Sequence, residues 1–288
     1  MCKNEIVYIA KPTWYTENMY PGHRQFYVKF IAQLKEYHEV RELELPDIWV
    51  RDFLPFQNVQ SGELYQPYFA PRYANYTAKF TNAIWMLMRN LFPQAKLCDV
   101  RIDGGNVVIS PDKKYALCLQ RQTLFRQKDT DKKVYVENEL KRALGVQEIL
   151  WLPRQIGDKI GHIDGYLQFL GNFLMEGTLE LYGGITTGSL LDYKGLEMLY
   201  NWATREDWEI LHLLCKVNEK DWLDATGLYV NFLETSRAVF VPQFDLPEDD
   251  KVISTIKEYS RKPVVRVDCS KIAKYGGALH CLTREYYE

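Results

Sequence analysis

Cys281 ends the run Gly276-Gly277-Ala278-Leu279-His280-Cys281 near the end of a 288-residue chain. A free cysteine is most often a small buried apolar residue. The paired glycines argue the other way, because they let backbone pass close to a ligand. Position alone divides the two readings evenly. A thiol becomes a nucleophile as its thiolate, which calls for a neighbouring base or a cationic setting. The sequence offers five histidines. His38 and His212 fall within helical patterns and read as structural or solvent-facing, and His23 lies in the Pro21-Gly22 turn. His280 adjoins the cysteine, but neighbours on a strand point to opposite faces, so it is expected to be a poor direct partner. His162 sits in Gly161-His162-Ile163-Asp164-Gly165 at the mouth of an expected strand. In an extended segment His162 and Asp164 share a face and can line one pocket. A lone H-x-D triplet is more often a surface or capping feature.

Two more polar motifs stand out. Trp49-Val50-Arg51-Asp52 lies between Pro46 and Pro55, which marks an irregular loop. Taken alone it reads as a local Arg51–Asp52 charge arrangement with Trp49 in the core. Asp103-Gly104-Gly105-Asn106 reads as a tight turn feeding a strand. A zinc site needs three or four ligands at recognisable spacing, and neither the H-x-D nor the scattered cysteines supply it. There is no phosphate-binding loop, no G-x-G-x-x-G and no G-x-S-x-G. No metal and no organic cofactor is expected.

The elements that must carry these residues alternate along the chain. Strands are expected at 6–10, 39–43, 148–153 and 264–269, with a hairpin over 106–110 and 115–119. Strand pairs are expected within 166–174 and 229–243, and a last strand at 278–283. Helical spacing links Phe26, Phe30, Ile31, Leu34 and Tyr37; then Phe80, Ile84, Leu87, Met88 and Leu91; then Val136, Leu140 and Leu144 with Gly145 as cap; and Val252, Ile253, Ile256 and Tyr259. The stretch 176–216 is the least legible, with helices expected around 196–203 and 206–214. No linker divides the chain, so a single domain over 1–288 is expected.

Composition narrows the class. The chain is 47% hydrophobic and 26% charged, with 36 Lys plus Arg against 38 Asp plus Glu. That balance lacks the basic excess of a nucleic-acid binder and leaves room for a small cationic ligand in a locally acidic pocket. No apolar run approaches a membrane span, and the first apolar stretch is too short for a secretory signal. Six cysteines without C-x-x-C pairs fit free thiols in a reducing cytoplasm.

The polar motifs recur at intervals of roughly 50–70 residues, as expected of repeated supersecondary units. Trp49-Val50-Arg51-Asp52, Asp103-Gly104-Gly105-Asn106, Gly161-His162-Ile163-Asp164, Asn231-Phe232 and Gly276-Gly277-Ala278-Leu279-His280-Cys281-Leu282-Thr283 follow one another in order. Together they resemble the agmatine deiminase and bacterial peptidyl-arginine deiminase family, whose order is W-x-R-D, D/E-G-G-N, G-H-x-D, N-F and G-G-x-x-H-C-x-T. Trp151-Leu152-Pro153 and Val241-Pro242-Gln243 match further segments, and the likeness runs from about Trp14 to Thr283. It implies an α/β fold, a five-bladed propeller (pentein) of ββαβ units with pseudo-fivefold symmetry. It implies Cys281 as nucleophile and His162 as general acid–base, with Asp52 and Asp164 gripping a guanidinium. Trp49, Asp103 and Asn231 would line the pocket. Three features depart from the family: Phe53-Leu54 after the R-D pair, Gly157-Asp158-Lys159-Ile160 before G-H-x-D, and Arg284-Glu285 where glutamines are usual. The chain is also shorter than agmatine deiminases are expected to be. These departures bear on the substrate more than on the chemistry.

A guanidinium is a planar cation with a fork of donors, and carboxylates match it with paired, charge-assisted hydrogen bonds. The cation would favour thiolate at Cys281, and attack would give a covalent thiouronium intermediate. The resemblance implies a hydrolytic deiminase, with agmatine as the leading substrate, giving N-carbamoylputrescine and ammonia in putrescine (polyamine) biosynthesis. The rivals are a peptidyl- or free-arginine deiminase, an amidinotransferase, or a non-catalytic binding protein on the same fold. The expected partner is a small guanidino compound, without nucleic acid or membrane; homo-oligomerisation is left open.

Overall fold

A computed structural model describes residues 4–69, 71, 77–120, 130–155, 158, 160–181, 185–216, 218, 221 and 223–288. Among them the chain runs β1 (Glu5–Ala10), α1 (Trp14–Met19), α2 (His23–Lys35), β2 (Glu39–Leu43), α3 (Val50–Phe53), β3 (Phe56–Gln57), β4 (Leu64–Tyr68), α4 (Ala78–Leu91) and β5 (Lys96–Arg101). Then come β6 (Val108–Ile109), β7 (Tyr115–Leu119), α5 (Thr130–Leu144), β8 (Glu148–Leu152), β9 (Leu167–Leu170), β10 (Phe173–Leu181), β11 (Ile185–Ser189), α6 (Tyr193–Arg205) and β12 (Glu209–Cys215). The last elements are β13 (Leu233–Glu234), β14 (Val239–Gln243), α7 (Asp249–Tyr259), β15 (Val264–Asp268) and β16 (Thr283–Tyr287). No helix of the described residues is long and apolar enough to cross a membrane.

One pattern repeats in five small sheets among the described residues. A strand pairs antiparallel with the next, which pairs parallel with a third: β3-β4-β5, β6-β7-β8, β9-β10-β12, β13-β14-β15 and β16-β1-β2. A parallel step needs a crossover, and a helix supplies each one: α4, α5, α6, α7 and α2 respectively. Strand β11 adds an edge to the sheet of β10. This α/β architecture of ββαβ repeats agrees with the periodicity of the polar motifs.

The chain divides into two compact units, residues 1–50 with 164–288, and residues 51–163. The first has a core in which Phe26, Phe30 and Leu34 of α2 meet Phe240 of β14 and Ile253 of α7. Residues of β1 are buried on both faces, which explains the unbroken apolar run there. In the second unit, Leu140, Ala143 and Leu144 of α5 pack against Cys98, Cys118 and Ile149. Side chains close several helices: the Thr13 hydroxyl accepts from Thr16 N, that of Thr77 from Phe80 N, and the Asp192 carboxylate from Gly195 N. Gly145 ends α5 with φ 77°, the cap expected from sequence.

Three expectations are corrected. The helix expected over 206–214 is strand β12, running parallel to β10 with His212 opposite Glu176. Its Leu-rich run fits either period, and pairing to an existing strand decides the outcome. His212 is therefore a strand residue, whereas the helix expected at 196–203 is present within α6. Residues 278–282 form no strand. They wind through successive turns, with Leu282 N donating to Ala278 O, Thr283 N to His280 O and the Thr283 hydroxyl to Leu279 O. Strand β16 begins only at Thr283.

Candidate active site

In the 51–163 unit, two carboxylates face opposite edges of one imidazole. His162 Nε2 lies 3.2 Å from Asp103 Oδ2, and its Nδ1 lies 3.5 Å from Asp52 Oδ1. All three side chains are buried. Asp52 rides on α3, and its Oδ1 also accepts from Gly105 N at 3.0 Å. A Cβ on Gly105 would stand 2.6 Å from His162 Nδ1 and 2.8 Å from Asp52 Oδ1, so the second glycine of the D-G-G-N motif makes room for the cluster. Asn106 fastens the same turn to β7, donating to Leu119 O at 3.0 Å and accepting from Leu119 N at 2.9 Å. Asp158 shapes the approach to His162: its carboxylate accepts from Ile160 N and Gly161 N, both at 2.8 Å. Arg154 donates to the Asp158 carbonyl. Gly157 and Lys159 of that departing segment lie outside the described residues.

In the other unit, Asp164 and the turn at 278–283 carry the thiol. Cys281 Sγ lies 3.4 Å from Asp164 Oδ2, and His280 Nδ1 lies 2.7 Å from the same oxygen. Asn231 organises that turn. Its Oδ1 accepts from Ala278 N at 3.0 Å and Cys281 N at 3.4 Å, its Nδ2 donates to Asp164 O at 3.1 Å, and its backbone carbonyl accepts from His280 N. A Cβ on Gly277 would meet Trp49 at 2.8 Å and Cys281 Sγ at 3.0 Å. The glycine therefore lets the Trp49 ring and the thiol approach one stretch of backbone. Trp49 is buried edge-on to Tyr20, at 5.9 Å between ring centroids. The buried Asp47 carboxylate holds the loop before it, accepting from Tyr20 OH at 2.9 Å and Ile48 N at 2.6 Å.

The sequence-selected residues thus fall into two groups: Asp52, Asp103 and His162 together, and Trp49, Asp164, Asn231 and Cys281 together. The first departure is structural, since Phe53 and Leu54 are fully buried and Phe53 packs edge-on against Phe69. Sequence reasoning missed His280, dismissed on the premise of a strand, and also Asp47, a carboxylate two residues ahead of a motif, and it noted Asp158, three residues ahead of another, only as part of a departure from the family pattern. The other described cysteines differ from Cys281. Burial pushes Cys98 and Cys215 each up to about 12 and also raises Cys118 and Cys269, which disfavours thiolate at all four. Cys281 alone among the described cysteines keeps some exposure, 7%.

A buried thiol beside a carboxylate and an imidazole between two carboxylates are parts for nucleophilic chemistry on a cation. The chain is similar to several known proteins. Agmatine deiminase of Medicago truncatula is 25% identical over 217 residues, covering 64% of this chain and 56% of that protein. Agmatine deiminase of Pseudomonas aeruginosa (strain LESB58) is 24% identical over 173 residues, covering 52% of this chain and 47% of its own length. The aligned stretch thus spans about half the length of these curated relatives. The fold matches the structure of C. jejuni agmatine deiminase with substrate bound at a TM-score of 0.76 and 18% identity, covering 100% of this chain and 94% of that one. Residues 13–286, which include every motif residue of both groups, match the Porphyromonas-type peptidyl-arginine deiminase family, and the chain belongs to that family.

Proposed function

We propose that the protein is a hydrolytic deiminase of a small guanidino compound, agmatine first, with Cys281 as nucleophile and His162 as general acid–base. The observation that carries this reading is the carboxylate oxygen of Asp164 lying 3.4 Å from the Cys281 thiol. A carboxylate there opposes thiolate formation unless a cation joins them. A guanidinium is such a cation, and Asp164 is a suitable acceptor for its N–H fork. Asp52 is proposed as the second carboxylate of the grip, with Trp49 and Asp103 bordering the substrate. The hydrogen bonds of Asn231 favour a role in setting the thiol-bearing turn over one in direct substrate contact. We further propose that the five ββαβ repeats are blades of a five-bladed α/β propeller with pseudo-fivefold symmetry, and that the two units serve as one catalytic domain.

In this mechanism the thiolate attacks the central carbon and forms a C–S bond. His162 gives a proton to the departing nitrogen, the C–N bond breaks, and ammonia leaves. The remaining thiouronium is attacked by water, whose proton passes to His162. The adduct hydroxyl then gives its proton to solvent as the C–S bond breaks, returning the thiolate and releasing a ureido product. From agmatine that product is N-carbamoylputrescine. No step calls for a metal or organic cofactor.

Ammonia release from agmatine, free arginine and a blocked peptidyl-arginine, each run beside Cys281→Ser, tests the proposal. Ammonia and a ureide from agmatine, lost in the variant, support it. Release from arginine or the peptide instead reassigns the substrate. Turnover only when an amine acceptor is added means an amidinotransferase, and no reaction with any of them leaves a binding role.

A further inference from the structure

We propose that His280 is a positioning residue, holding the Asp164 carboxylate in register with the Cys281 thiol; this rests on the deiminase reading above. The tight turns over residues 278–283 are what make it possible. In a strand, side chains 280 and 281 would point to opposite faces. Wound as they are, His280 and Cys281 converge on a single oxygen, Asp164 Oδ2, at 2.7 Å and 3.4 Å. His280 and Asp164 are both buried. A carboxylate oxygen at 2.7 Å accepts, so Nδ1 is the donor.

The short N–H···O bond has a particular use at this place. When the Cys281 proton leaves, thiolate and carboxylate carry like charge at contact distance. A donor fixed on the shared oxygen offsets the charge that faces sulfur and keeps the carboxylate from swinging away. Asn231 complements it from the backbone side, binding Ala278 N, Cys281 N and Asp164 O with one amide. His280 acts on the reaction through Asp164 and is not itself in contact with the reacting carbon.

Three substitutions separate a donor role from a packing role. Asn places its amide N–H where the imidazole Nδ1–H stands, Gln places it one bond farther out, and Leu keeps bulk without a donor. Hydrogen bonds to charged groups of this kind are worth about 10–100-fold in rate. His280→Asn is expected to stay within about 3-fold of wild type in kcat, while His280→Gln and His280→Leu lose about 10–100-fold, chiefly in kcat. Alkylation of Cys281 by iodoacetamide, followed by peptide mass spectrometry without substrate, should rank the variants in the same order. Because alkylation needs no turnover, it tests positioning even if no guanidino compound proves to be a substrate. If Leu matches wild type, or if Asn is as slow as Gln at matched thermal stability, the positioning role is wrong. If Leu fails to fold, the Asn–Gln pair alone decides.

Discussion

His162 and His280 are both buried histidines bound to carboxylates, yet they are held differently. His162 faces a carboxylate at each ring edge, at 3.2 Å and 3.5 Å. His280 Nδ1 makes a short contact of 2.7 Å, to an oxygen it shares with a thiol. An imidazole between two looser acceptors can exchange a proton with little change in geometry, as an acid–base group must. One held by a short bond to a carboxylate is placed to orient that acceptor. The difference teaches that adjacency to the proposed nucleophile in sequence is a poor guide to the proposed acid–base residue; the length and setting of the carboxylate contacts favour His162.

The comparison breaks most readily at His162. His162→Gln keeps hydrogen bonding but cannot cycle a proton, and should cost about 10²–10⁴-fold in kcat, measured by ammonia release. A loss no larger than that of His280→Gln would make the two histidines equivalent and void the distinction. Asp164→Asn should come next, at about 10²–10³-fold, because it removes the charge proposed to receive the cation and alters the acceptor that His280 meets at 2.7 Å. Unchanged steady-state rates would remove Asp164 from the site. Gly105→Ala sharpens the account of how His162 is held. Its methyl would press on His162 and Asp52, and a loss of about 10–100-fold is expected with the unit still folded.

The smallest effect concerns a third histidine, His23, to which no chemistry is assigned. Burial lowers His23 from 6.5 to about 4, and its Nδ1 is buried without a hydrogen-bond partner. Above pH 6.5 His23 is neutral whether the chain is folded or not, so it adds no pH dependence there. Between 6.5 and 4 the unfolded chain takes up a proton that the folded one refuses, and stability falls as pH falls through that window, by at most about 3–4 kcal/mol. His23→Phe should flatten that part of the curve in denaturant titrations. An unchanged slope would show that His23 is not the group responsible.

Much of this was legible in the sequence because periodicity reports burial directly. The stripes in α2, α4, α5 and α7 and the unbroken run of β1 all became the expected elements. The motif residues were legible through composition: a Gly-rich run is where backbone must pass close to something, as Gly105 and Gly277 do. The failures share a cause. In Glu209–Cys215 an apolar run too short to show its period paired with β10, a long-range choice that local spacing does not encode. In residues 278–282 the apolar run hid a turn, stabilised by the Thr283 hydroxyl and the Asn231 amide from outside the segment. Misreading that turn as a strand is what led to His280 being set aside.

The central claim is that Cys281 forms a covalent bond to a guanidino carbon with loss of ammonia. Rapid acid quench during turnover of agmatine, followed by mass spectrometry of the peptide containing Cys281, tests it most directly. The account predicts an adduct on Cys281 heavier by the mass of agmatine less one ammonia, absent from Cys281→Ser. An adduct of the bare amidino group would mean transfer chemistry, and turnover with no adduct on Cys281 would contradict the account.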